Sequence, residues 1–367
     1  MKAEKVKANS QNRIEQKFSI LRTVIAIVIS LAIAFVLIAT VSDSPVEDFI
    51  TLLVGPCRNS SNITSIFTRM IPLLFTGTAI CLVNKCGQLN IAAEGAFFAG
   101  AVAATVVGVI PGLPSIIHIP ICFLAAMAAG AFYMGIPGLL HVKYNSITIV
   151  SSLMINYVAL YLGLYIILNP LRDPSAGFEA SYMFAESARL PKIFGSSRIH
   201  LGLIAGLVVV WLGYFILNRT KFGVEIRSIG HNQKFATYSG MPVGKTIIKI
   251  SCIAGMFAGL GGACETLGNY QRFVFTGFTN HGWDGVMLAV LCHNRPEYMP
   301  LAAAFLAYIR TSADALNFSS SIPPEIVNII QGIIIIFVAS ERFLSDWEHR
   351  AIVKNAADEL KAIGGTN

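Results

Sequence analysis

Apolar blocks of about twenty residues, parted by short polar joints, recur along the chain from Ile20 to Ser340. Ten segments stand out, near 20–41, 66–84, 90–110, 116–140, 146–168, 199–218, 246–268, 283–293, 299–317 and 322–340. Most have the length of a bilayer-crossing helix, and none shows the two-residue alternation of a membrane β-barrel. The pattern predicts an all-α polytopic membrane protein with about ten transmembrane helices. The third segment is Gly-rich and the eighth is short, so each is a candidate broken or re-entrant helix. Such backbone is tolerated in a bilayer only where it lines protein or water. Segments two and three resemble seven and eight. In each pair a Gly-rich helix precedes a short one bearing a single acid, Glu94 in the first and Asp284 in the second. A five-plus-five internal pseudo-repeat produces this pattern.

Composition agrees: 54% of residues are apolar and 13% charged, against about 25% charged in soluble domains. Met1 to Ser19 is polar and basic. Ile20 to Val41 is too long and too poorly flanked for a cleaved signal peptide, so a retained first helix is expected. The layout is then a tail at 1–19, a membrane domain at 20–340 and a second tail at 341–367. The net charge of +7 does not call for nucleic acid. Lys and Arg crowd both tails and the 219–245 connection, and this bias places both termini in the cytoplasm with an even helix count. The loop at 169–198 is placed outside although it carries Arg172, Arg189, Lys192 and Arg198. It is long enough to cross on its own terms, and Asp173, Glu179 and Glu186 dilute its charge.

Against this background a carboxylate at Glu94, one helical turn from Asn90 in the run Leu89 to Ala101, is costly if it faces lipid. It is expected to face protein or a wet cavity, and to border a solute passage. Asn156 and Tyr157 in the fifth segment either bind a polar solute or bridge two helices. Trp283 and Asp284 complete the candidate pathway set, though Asp284, like Glu265, is equally explained by solvation at the outer boundary. Arg310 and Asp314 lie four apart and are expected to pair on one helix face.

In the cytoplasmic connection Asn232 is a good N-cap, Gly240 a good C-terminal stop, and Pro242 bars continuation. Between them a two-turn helix is expected, with Phe235 and Tyr238 on one face. That face suits docking into a groove on a cytoplasmic partner, or equally a place in the headgroup layer. The run Gly240 to Thr246 resembles a P-loop but has three residues between its glycines where four are needed, so no ATP site is expected here. The seven cysteines show no metal spacing and read as packing residues, with Cys57 facing the exterior. The histidines are dispersed, and no nucleophile elbow or zinc motif is present. The chain is not expected to be an enzyme.

Several runs resemble one family. Gly87-Gln-Leu-Asn-Ile-Ala-Ala-Glu-Gly95 is similar to the "G-L-F-N-I-G-x-E-G-Q" signature of ABC-importer permeases for nucleosides and simple sugars, relatives of the ribose and branched-chain amino-acid permeases. Met154-Ile-Asn-Tyr157 resembles the end of that family's "T-I-M-L-N-Y" run. Thr220 to Gly240, containing Arg227, Gly230, Asn232, Ala236 and Gly240, resembles its ATPase-coupling segment. Ser251 to Gly268 and Gly282 to Leu291 match two further runs, in family order, over residues 60 to 345. Departures are Ala92 and Ala96 for the usual Gly and Gln, Ser146 for Glu, and Cys292-His293 for Gly-Arg. The resemblance implies a transport subunit in the bacterial inner membrane that binds no cofactor of its own. It implies a separate ATPase with two nucleotide sites for ATP and Mg, a paralogous permease or second copy, and an extracytoplasmic binding lipoprotein. The expected cargo is nucleoside-like. Rival readings are a simple sugar or flavin-type vitamin, or a secondary transporter in which Glu94 relays protons.

Overall fold

The computed structural model describes residues 25, 28–42, 44–193, 198–320 and 322–339; both terminal tails and the start of the first segment lie outside the described residues. The helices are α1 (Val28–Val41), α2 (Pro45–Arg58), α3 (Ser60–Lys85), α4 (Ala93–Gly108), α5 (Ser115–Tyr144), α6 (Thr148–Leu168) and α7 (Gly202–Arg219). They continue with α8 (Lys221–His231), α9 (Gln233–Tyr238), α10 (Val243–Asn269), α11 (His281–Leu291), α12 (Met299–Ser319) and α13 (Pro324–Ala339). Among the described residues there is no strand, only two isolated bridges. Every apolar segment read from the sequence corresponds to one helix. The two helices that hydropathy missed, α2 and α8, are short and amphipathic, with charges in their sequences that no span-length window tolerates.

The described residues fall into two compact units, one running from Cys57 to Thr311 and the other joining those up to Pro56 with those from Ser312. In the smaller unit Ser42 donates to Asp48 in the first turn of α2, where a carboxylate also meets the positive end of the helix dipole. Phe35 of α1 packs edge-on against Phe49 of α2.

In the larger unit α3 and α10 are buried for most of their length, whereas no more than about a third of α5, α6 or α7 is buried. Away from the helix ends the exposed side chains of α5 and α7 are apolar, including Ile116, Leu124, Phe132, Leu207 and Trp211. A bundle helix that is hydrophobic all round and half-exposed is one facing lipid. α10 packs against α3, α4 and α5, and α4 packs against α5 and α6. Close approach comes from small residues: a Cβ on Gly100 would run into the carbonyl of Gly259, and one on Gly130 into that of Gly255. Membrane helices associate through such contacts because burial from lipid supplies no hydrophobic drive.

Element lengths fix the depth of each end. α10, at 27 residues and about 40 Å, crosses the whole unit. α11 has 11 residues, about 16 Å, and its C-terminal end lies beside the Lys85 end of α3. There the Sγ atoms of Cys81 and Cys292 are 3.5 Å apart and Asn84 donates to Asn294 at 3.0 Å. The first turn of α11 therefore starts near half-depth, and residues 270–280 descend to it from the far end of α10. α4 likewise starts inside the unit, after the irregular stretch 86–92, and ends where Ala185 donates to the carbonyl of Gly108. The third and eighth segments are thus short helices entered through non-helical backbone. The 169–201 loop packs over the far end: Ser181 and Phe184 bond to Phe273 and Gln271, and Leu190 to Leu267.

Candidate functional site

The N-termini of α4 and α11 converge on Glu94. Its carboxylate accepts from the backbone N–H of Asn280 at 2.8 Å, from Thr279 Oγ1 at 3.1 Å, and from the N–H of Gly282. The first amides of a helix have no partner within it, and they carry the positive end of its dipole. One carboxylate in the first turn of α4 thus supplies acceptors to α11 while sitting at two dipole ends. Gly282 makes the approach possible, because a Cβ there would collide with the backbone of Glu94.

The entry to α4 is held by a polar stripe on α6. Asn156 Oδ1 accepts from the Gly95 N–H at 2.8 Å, and its Nδ2 donates to the carbonyl of Ile91 at 3.1 Å. Ser152 Oγ accepts from Ile91 N–H, and Thr148 donates to Gln88. Asn90 donates to the carbonyl of Met134 on α5 and accepts from Ala92 N–H. These bonds satisfy backbone groups that would otherwise be orphaned at membrane depth.

Asn90, Glu94 and Asn156 are sealed, with Glu94 at 0% exposure. The expectation that Glu94 borders a passage is corrected: its carboxylate is spent on three donors and presents no surface. Of the two readings for Asn156, the bridge between elements is the one found. Asp284 is not solvated at the boundary but buried, bound by both terminal nitrogens of Arg310 at 2.6 Å, with His281 Nδ1 at 3.8 Å. Arg310 therefore pairs across helices, with α11, a partner that its spacing to Asp314 did not announce. Glu265 is buried too, on α10.

Tyr157 and Trp283 are the exposed members of the predicted pathway set. The Tyr157 ring meets Phe278 edge-on at 5.3 Å. Phe278 belongs to the 270–280 descent, which also exposes Thr276 and Asn280. Sequence reading missed Thr148, Ser152, Thr279 and Asn280. The spacing 148, 152, 156 was a usable signal, since it puts three polar groups on one face of an apolar helix.

At the Lys85 end, α8 is capped by Thr220, whose Oγ1 accepts from Gly223 N–H, and α9 by Asn232, whose Oδ1 accepts from Phe235 N–H at 3.0 Å. Gly240, at φ +76°, ends α9 in the left-handed conformation. The expected cap, helix and stop are all present. Ala236 is buried, while Phe235 and Tyr238 are 62% and 91% exposed. Arg227 donates to Asn218. Gly230 lies so close to α3 that a Cβ would strike the Lys85 carbonyl, which ties this segment to the start of the 86–92 stretch. At the opposite end Asp173 is held below the usual carboxylate range, first by hydrogen bonds from Ser175 and then by Arg272 at 3.2 Å. His200, buried in the same loop, is pushed down to about 4 by desolvation. Among the described residues no cluster of side chains is suited to holding a metal.

The family described as "Branched-chain amino acid transport system / permease component" matches residues 62–339. The chain belongs to this family. Its relatives are membrane permeases of ABC importers, and this permease is likewise a transport subunit and not an enzyme. It is 34% identical to the guanosine ABC transporter permease protein NupP of Bacillus subtilis, over 86% of this chain and 92% of that one. It is 29% identical to the glucose ABC transporter permease protein TsgB13 of Haloferax volcanii, over 87% of each chain. It is 25% identical to the nucleoside ABC transporter permease protein NupB of Lactococcus lactis, over 94% of this chain and 97% of that one.

Proposed function

We propose that this permease carries a nucleoside-like solute, delivered by an extracytoplasmic binding lipoprotein, across a bacterial cytoplasmic membrane. The observation that supports a passage is the descent at 270–280. Non-helical backbone at half-depth, exposing Thr276 and Asn280 beside an exposed Tyr157, is tolerated against water and not against acyl chains. Tyr157 and Trp283 are its lining residues. Asn90, Glu94, Asn156 and Asp284 set its shape from behind by holding the short helices α4 and α11. A paralogous permease or a second copy supplies the facing wall. The relatives named for guanosine and nucleosides support the cargo.

ATP and Mg belong to a separate cytoplasmic ATPase that docks on α9 through Phe235 and Tyr238, with both permease termini on the same side. Closure of the ATPase acts on the passage through Gly230 and the 86–92 stretch, provided it binds α9 differently in two states.

Uptake of tritiated guanosine by the complete importer in proteoliposomes is expected to need internal ATP and to be competed by other nucleosides. Glucose or riboflavin taken up in its place would overturn the cargo. For the coupling surface, Phe235→Cys is expected to crosslink to the ATPase, and Tyr238→Ala to abolish solute-stimulated ATP hydrolysis at unchanged permease yield. Absence of the crosslink in every nucleotide state would remove α9 from the interface.

A further inference from the structure

We propose that Tyr157, Tyr161 and Tyr165 of α6, with Phe278, form a stacking track along which the uncharged planar ring of the solute travels from the far end of the bundle to half-depth. The proposal rests on the nucleoside-like cargo. The three tyrosines recur every four residues and so share one helix face. They are 54%, 66% and 65% exposed. Their Cα atoms span about 12 Å along the helix axis. Tyrosines that face lipid collect at the headgroup level, where the hydroxyl finds water. A ladder over two turns, beginning in the middle of a 21-residue helix, does not fit a lipid face.

The second observation is the neighbour. The lowest rung, Tyr157, touches Phe278 in the irregular descent, so the ladder begins where polar backbone already demands water. The rings of Tyr157 and Tyr161 lie within 21° of parallel, with centroids 6.5 Å apart, on an open apolar face that Met154, Val158 and Leu162 complete. Aromatic faces stack with any planar heterocycle, and exposed phenols offer hydrogen bonds to a ribose. α6 contains no charged residue from Thr148 to Leu168, so nothing on it offsets a phosphate. The track therefore selects free nucleosides or bases over nucleotides.

The test uses the complete importer in proteoliposomes, with tritiated guanosine as probe. The double variant Tyr161→Leu/Tyr165→Leu is expected to lower ATP-driven uptake about tenfold or more, in keeping with the loss of two base-stacking partners. Tyr161→Phe/Tyr165→Phe, which keeps the rings, recovers most of that loss. In a Cys57→Ser background, Tyr161→Cys is expected to react with a water-soluble, membrane-impermeant thiol reagent, and guanosine is expected to slow the reaction. Unchanged uptake in the leucine double variant overturns the track. So does labelling of Tyr161→Cys by lipid-soluble reagents alone, or a 161–161 crosslink between copies in all nucleotide states. Wild-type importer that moves glucose and no nucleoside overturns the cargo reading instead, and does so without any variant.

Discussion

Glu94→Ala is expected to destabilise the permease enough to lower its yield and its unfolding temperature in detergent, before transport is measured at all. The carboxylate is itself fully buried and serves three donors, two of them backbone amides at the entry to α11. A buried donor left without an acceptor costs about 1–3 kcal/mol, so the loss is of the order of several kcal/mol. Against a folding stability of about 5–15 kcal/mol for an ordinary domain, that is a large fraction. Glu94→Gln is expected to fall between. It keeps the shape and one acceptor, but turns an amide N–H₂ toward donors and removes the charge that two helix dipoles favour. The decisive comparison is stability against uptake. A Glu94→Ala protein with wild-type yield and melting temperature but no uptake would return this residue to the passage and dismiss the joint.

That reassignment shows which parts of the fold are legible in one sequence. The apolar blocks, the broken third and eighth segments and the α9 caps are local properties: a window of hydropathy, or a cap residue and a glycine at fixed offsets, decides each. The question Glu94 poses is not local. Its cost in lipid dictates that it be turned inward, but protein and wet cavity both satisfy that condition. The choice between them is made by the Thr279 hydroxyl and the amides of Asn280 and Gly282, nearly two hundred residues along the chain. Asn156 poses the same question, and its partners, the backbone of Ile91 and Gly95, lie more than sixty residues away in sequence. Arg310 is a further case: its i, i+4 spacing to Asp314 gives no hint of Asp284 on α11, which offers a buried carboxylate in planar register with the guanidinium. Tyr157 was legible because its neighbours in the family run drew attention to it. Tyr161 and Tyr165 were not, since tyrosine on an apolar helix carries no signal until its exposure and depth are known.

Replacing either partner of the Asp284–Arg310 pair alone is expected to cost more than replacing both. The two N···O distances of 2.6 Å describe a bidentate bond, and the Asp284 side chain retains 3% of its accessible surface. Removing one member of a buried pair strands the other charge, typically at about 3–5 kcal/mol, whereas an apolar pair of similar volume is often neutral. Arg310→Leu leaves Asp284 in the first turn of α11, with only the helix dipole and His281 at 3.8 Å to support it. Asp284→Leu leaves a guanidinium whose side chain is 24% exposed and which can extend toward water on its long stem. The arginine substitution should therefore be the more damaging of the two. The double variant Asp284→Leu/Arg310→Leu should recover more than half of that loss, read as detergent melting temperature and as the fraction of monodisperse protein. Additive losses across the cycle would mean that the two residues act independently. The link between α11 and α12 would then reside elsewhere.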